Sequence, residues 1–149
     1  GLEVIYAALP GRQYVDQQRI GFSEFLGRAD IVSLHCPLTA ETTNLIGEIE
    51  LDLMKPSSIL INTARGGMVK EAALVQALLE GSIAGAGIDV LTNEPPREGN
   101  VLLNESIPNL IVTPHCAWVA RQSRQRLVDQ TVENLRAFMQ GETLLRAVL

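Results

Sequence analysis

The 149-residue chain is 46% hydrophobic and 19% charged, with a net charge of −5, a balance that describes a globular chain with a core and excludes a disordered one. An acidic chain without a basic cluster is not built to coat nucleic acid, and no apolar run approaches the roughly 20 residues of a membrane span. The two cysteines, Cys36 and Cys116, each follow a histidine, which suits a reduced, cytoplasmic protein better than a disulfide framework.

The length predicts one domain with a sizeable core. The chain opens at Gly1-Leu2-Glu3-Val4 without a methionine and already at the edge of a strand, so it reads as the later part of a longer protein; a strand and turn here are not a signal peptide. Val4 to Ala7 forms the first strand, ended by Leu9-Pro10-Gly11-Arg12. A short helix follows over Ser23 to Gly27, with Ser23 as a cap. Asp30 to Leu34 is the second strand and runs into His35-Cys36-Pro37-Leu38-Thr39. Glu48 to Met54 is helical and closed by Pro56.

Ile59-Leu60-Ile61 is short, apolar and bounded by turn signals, the pattern of a strand buried on both faces. It leads into Asn62-Thr63-Ala64-Arg65-Gly66-Gly67. Helical spacing then runs from Lys70 to Glu80, with Ala73, Leu74, Ala77 and Leu78 on one face and Gly81 past the end. Ile83 to Val90 is the next strand, ending at Asp89, and Leu110 to Val112 the last, ending in Thr113-Pro114-His115. Arg121 to Gln140 is a long amphipathic helix with Val128, Val132, Leu135 and Met139 in one stripe and Gly141 as its stop. Strands alternating with helices at this spacing predict a parallel, doubly wound α/β sheet. The proline-bearing segment from Asn93 to Gly99 reads as an active-site loop rather than a domain boundary.

In such sheets ligands bind beyond the carboxyl ends of the strands. Those ends present Arg12, His35, Arg65, Asp89 with Glu94, and His115, so both histidines of the chain fall there. Arginine grips a carboxylate or polarises a carbonyl with a fixed fork. Histidine delivers or removes a proton near neutral pH, and a neighbouring carboxylate orients its ring. That trio suits reduction of an α-keto acid, with the hydride supplied by a cofactor.

Each residue also has a plainer reading. Arg65 suits a solvated loop, His115 a packed and hydrogen-bonded ring, Glu94 a turn carboxylate before Pro95-Pro96, His35 a structural or cofactor-wall residue, and Trp118 packing or a site rim. No ligand pair has metal-site spacing, and no serine sits in a Gly-x-Ser-x-Gly elbow.

Asn62-Thr63-Ala64-Arg65-Gly66-Gly67, Gly85-Ala86-Gly87-Ile88-Asp89-Val90 running on to Glu94-Pro95, and Thr113-Pro114-His115, together with His35-Cys36-Pro37-Leu38-Thr39, resemble the D-isomer-specific 2-hydroxyacid dehydrogenases in order and spacing. The resemblance implies a Rossmann-like domain, partial because its first βα unit is missing. Residues 1–120 would be the partial dinucleotide-binding domain, and 121–149 a helix and tail returning toward the substrate domain. It implies that Arg65 binds the substrate carboxylate and carbonyl, that His115 is the proton donor and acceptor, and that Glu94 pairs with His115 and favours its protonated form. Asp89 would hold the nicotinamide carboxamide, and Thr63 and Ala64 would line the ring. His35, Cys36, Pro37 and Leu38 would wall the adenosine side, with Ala117 among the cofactor-binding residues.

The His115-x-Ala117-Trp118 form is similar to the glycerate dehydrogenase and hydroxypyruvate reductase branch, which implies glyoxylate or hydroxypyruvate as substrate and a homodimer. Two departures qualify this. No Gly-x-Gly-x-x-Gly turn, whose helix N-terminus binds a pyrophosphate, occurs in the chain, so little activity is expected of it alone. Ala8 stands where an acidic residue would grip ribose hydroxyls, and Arg12 is close enough in sequence to meet a 2′-phosphate, so the cofactor is NAD or NADP with a lean toward NADP. The rival reading is a non-enzymatic, dinucleotide-sensing module similar to a corepressor, and a plainer one still is an inactive scaffold fragment.

Overall fold

The computed structural model describes residues 1–11, 18–104 and 106–143. The chain divides into two compact units, Gly1–His115 and a second beginning at Cys116.

Among its described residues the first unit holds six strands, all paired in parallel. β1 (Tyr6–Ala7) and β2 (Arg19–Ile20) form a two-stranded sheet. β3 (Ile31–Leu34), β4 (Ile59–Asn62), β5 (Gly85–Ile88) and β6 (Leu110–Val112) form a second sheet in that spatial order. Helices α1 (Phe22–Arg28), α2 (Glu48–Leu53) and α3 (Glu71–Glu80) connect them. The parallel α/β architecture expected from the alternation of strands and helices is therefore present.

The larger sheet is not buried on both faces. Successive side chains of a strand point to opposite faces, and Val32, Leu34, Leu60, Asn62, Ala86 and Ile88 face the core. On the other face Ile31, Ile59 and Ile111 are exposed. An apolar run looks the same in sequence whether one face or two is covered, so the expectation for β4 is corrected here. The core lies between the covered face and the helices: Leu26 of α1, Leu51 of α2, and Ala73, Leu74, Ala77 and Leu78 of α3 are buried against it. Each fully buried leucine contributes about 1.5–3 kcal/mol.

Element ends differ from expectation in ways local chemistry explains. Gly21, not Ser23, precedes α1, and Ser23 lies inside its first turn. Glu50 of α2 reaches back to the Gly47 N–H at 3.0 Å, satisfying one of the amides that a helix start leaves unpaired. Lys70 sits outside α3 as its cap residue. Gly81 ends that helix at φ 72°, and the Ser82 N–H donates to the Ala77 carbonyl at 2.9 Å, the left-handed stop that glycine allows without strain. β5 is shorter than the Ile83–Val90 run, but single bonds from Ala84 N–H to Ser58 and from Asp89 N–H to Asn62, each 2.9 Å, extend its pairing at both ends. β1 starts at Tyr6 rather than Val4, and β2 is an addition.

The second unit contains α4 (Arg121–Gln140), with the expected bounds and with Gly141 at φ 70° as its stop. Its stripe residues Val128, Val132, Leu135 and Met139 are exposed. Among the described residues no helix is long and apolar enough to cross a membrane.

Candidate active site

Parallel register decides where the functional residues fall. Leu34 pairs with Asn62, Asn62 with Ile88, and Ile88 with Val112. The carboxyl ends of β3 to β6 thus form one rim, and His35, Thr63, Asp89 and Thr113 are each the first residue beyond a strand.

The turn after β4 is built on Asn62, the last residue of the strand and fully buried. Its Oδ1 accepts from the Ala64 N–H at 3.0 Å, and its Nδ2 donates to the Arg65 carbonyl at 2.9 Å. One amide thereby holds both sides of the turn that presents Arg65. The Arg65 side chain is exposed, with Nη1 donating to the Ala64 carbonyl at 2.7 Å. Gly66 is buried, and a Cβ there would lie 2.0 Å from the Leu91 carbonyl carbon and oxygen. Only glycine lets this turn lie directly on the backbone of the loop that follows β5.

That loop carries Glu94. Its Oε1 accepts from the Leu91 N–H at 2.7 Å, and its Oε2 lies 2.7 Å from His115 Nδ1. Burial pushes the Glu94 carboxyl up, but the Leu91 N–H and the His115 ring outweigh it and hold the group below the usual carboxylate range. Glu94 is therefore ionised near neutral pH and can only accept, so Nδ1 carries the proton in this contact. Both side chains are partly exposed. The Glu94–Pro95 peptide is cis.

His115 has a left-handed backbone, φ 52°, a conformation that costs energy outside glycine. It is held there by its N–H, shared between the carbonyls of Asp89 at 2.8 Å and Thr113 at 3.0 Å. Asp89 is itself buried, and Thr113 Oγ1 donates a short hydrogen bond to its Oδ1. Beside the Glu94–His115 pair lies an apolar cavity of about 580 Å³, walled by Leu91, Pro95, Pro96, Leu103, Val112 and Pro114.

Residues 1–117 match the family described as D-isomer specific 2-hydroxyacid dehydrogenase, NAD binding domain. The chain belongs to the D-isomer specific 2-hydroxyacid dehydrogenases. It is 49% identical over 143 residues to the glycerate dehydrogenase of Methylorubrum extorquens, a match covering 95% of this chain and 44% of that protein. The NAD complexed form of a D-isomer specific 2-hydroxyacid dehydrogenase from Lactobacillus delbrueckii ssp. bulgaricus superposes with a TM-score of 0.75 at 37% identity, covering 89% of this chain and 43% of that one. An acyclic imino acid reductase in complex with NADPH and D-Arg gives a TM-score of 0.81 at 32% identity, covering 98% and 46%. The chain thus spans less than half the length of these relatives.

Within this dehydrogenase domain the anticipated residues separate into groups. Glu94 and His115 are in contact. Asp89 shares their network through the His115 N–H. Arg65 stands on the same rim, on a turn packed against the loop of Glu94. Thr63 is exposed and Ala64 half-buried beside it. His35 is exposed, its Nε2 2.8 Å from Ser33 Oγ. Cys36 is half-buried, and burial pushes its thiol up, which keeps it neutral near pH 7. The Pro37 carbonyl accepts from Thr42 Oγ1 at 2.7 Å, and the Leu38 side chain lies over Gly67. Ala117 belongs to the second unit, and Arg12 lies outside the described residues. Among the described residues no cluster could hold a metal ion.

Asn62, Thr113 and Glu71 were given no role by the sequence reading. Asn62 and Thr113 stood in the quoted motifs, so their place at strand ends was the available signal. For a nicotinamide this rim would offer a buried carboxylate, Asp89, next to the Thr63-Ala64 segment, the Asp89 N–H bonding the Asn62 carbonyl at 2.9 Å.

Proposed function

We propose that the intact protein carrying this domain is an NAD(P)-dependent oxidoreductase that interconverts small 2-keto and 2-hydroxy acids of the glyoxylate or hydroxypyruvate type. The observation that carries the proposal is the Glu94–His115 contact at the strand ends, 2.7 Å, beside the turn that presents Arg65. The glycerate dehydrogenase relative supports the substrate class, and the NAD and NADPH complexes of the structural neighbours support NAD or NADP as cofactor.

A hydride would be supplied or accepted by a nicotinamide held at this rim. Arg65 grips the substrate carboxylate and polarises the carbonyl, where its planar fork matches both oxygens. His115 gives its Nε2 proton to the carbonyl oxygen during reduction and takes it back in oxidation. Glu94 fixes the ring by its Nδ1 proton and offsets the positive charge of the protonated ring. Asp89 and the segment from Thr63 to Ala64 would hold the nicotinamide, and His35, Cys36 and Pro37 would line the cofactor.

In this reading residues 1–120 are the partial dinucleotide domain and 121–149 its C-terminal helix and tail. The working protein, in this reading, is a cytoplasmic homodimer that binds neither nucleic acid nor membrane; the net charge of −5 on this chain speaks against a nucleic-acid surface. The domain by itself has little activity, because no glycine-rich phosphate turn occurs in its sequence.

The test is steady-state turnover of glyoxylate and hydroxypyruvate by the full-length protein with NADH and NADPH. Turnover is expected with one of them, and His115→Asn lowers kcat by about 100- to 10,000-fold. Dinucleotide binding without turnover of any 2-keto acid would establish the sensing module instead.

A further inference from the structure

The first residue of α3, Glu71, spends neither carboxylate oxygen on its own helix. Oε1 accepts from the Thr92 N–H at 2.8 Å and Oε2 from Asn100 Nδ2 at 2.9 Å, so one side chain ties both ends of the loop that carries Glu94. Asn100 is oriented in turn, its Oδ1 accepting from the Leu102 N–H at 2.8 Å. At the near end two adjacent amides are taken by two different carboxylates, Leu91 by Glu94 and Thr92 by Glu71. The same stretch of backbone is where Gly66 packs. Glu71 and Arg65 belong to one continuous segment, six residues apart, whose middle is bonded to its own neighbours: Asn44 N–H to Gly67 at 2.8 Å, Ile46 N–H to Met68 at 3.0 Å and Lys70 N–H to Ile46 at 2.9 Å.

We propose that Glu71 is a positioning residue that clamps the Glu94 loop to the Arg65 segment, and so sets the placement of the Glu94–His115 pair relative to the substrate-binding arginine. The proposal rests on the reading of those three residues as the reactive set. A carboxylate in the first turn also favours any helix through the macrodipole, which is the purely structural alternative. The bonding geometry separates the two roles. A helix needs only the charge, whereas the clamp needs the full reach of glutamate to amides 21 and 29 residues away. Misplacement of a reacting group by about 1 Å costs rate rather than affinity for a distant ligand.

The test uses the full-length protein and three substitutions, Glu71→Asp, Glu71→Gln and His115→Asn, each assayed for kcat, for KM of the keto acid and of the nicotinamide cofactor, and for Tm. Glu71→Asp keeps the charge and shortens the reach by one methylene. It is expected to lower kcat about 10- to 100-fold, with cofactor KM within twofold of wild type and Tm little changed. Glu71→Gln keeps the length and one acceptor and restores part of the loss. Wild-type kcat in Glu71→Asp, while His115→Asn is inactive, overturns the clamp and leaves the reactive set standing. Wild-type kcat in His115→Asn overturns the reading on which the clamp rests.

Discussion

After β4 the chain is held by a buried amide and a close-packed backbone; after β5 it is held by carboxylates at the surface. Asn62 is fully buried and neutral, and Gly66 admits no side chain at all. Glu94 and Glu71 act through carboxyl oxygens, and both bond across the loop they hold. The first arrangement is indifferent to pH and fails only when an atom is added or removed. The second, at Glu94, weakens in acid, where a carboxyl held below its usual range takes up its proton. Arg65 stands on the pH-independent turn, and His115 pairs with Glu94 of the other.

Gly66→Ala strikes the first arrangement hardest. The new Cβ would meet the Leu91 carbonyl at 2.0 Å and the Thr92 nitrogen at 2.4 Å, atoms of backbone that cannot step aside. Destabilisation at or above about 3 kcal/mol is expected, the upper end of ordinary overpacking, read by urea unfolding. A stable variant with its loop unmoved would break the comparison. Asn62→Ala is the next largest. It removes the partner of the Ala64 N–H and leaves the Arg65 carbonyl only the long bond from the Met68 N–H at 3.4 Å, and should cost about 2–3 kcal/mol, with no dependence on pH between 5 and 8. Glu94→Gln is the mildest and the sharpest in kind. Because the native Glu94 carboxyl titrates below its usual value, its contribution to stability is complete above about pH 4.3. It is lost as the pH falls through the depressed native value. Urea midpoints of wild type and variant should therefore differ near neutrality and converge in acid; a constant gap down to pH 2 would show that the pair does not act through its charge.

Much of this was legible in the sequence because the signals are local. The stops at Gly81 and Gly141, the bounds of α4 and the alignment of functional residues with strand ends all follow from spacing and turn chemistry within a few residues. The open face of the larger sheet was not, since Ile59 and Leu60 are equally apolar and only the packed neighbours distinguish them. β2 has two residues, too few for a period to register. The Glu71 bonds join residues 21 and 29 apart, and glutamate at a helix start is explained well enough by the helix alone. At the site, Glu94 and His115 were readable as chemistry, but their contact and the tie behind it exist only once the loop has folded back.

The approach of Gly66 to Leu91 and Thr92 has a consequence for recombining relatives of this protein. Two stretches distant in sequence share one van der Waals surface of bare backbone, so neither path can drift without the other. A chimera with its crossover between Glu71 and Asp89 joins a turn from one parent to a loop from another, and inherits any mismatch at full strength. Exchanging residues 62–103 together keeps the Gly66 approach and both Glu71 bonds within one parent.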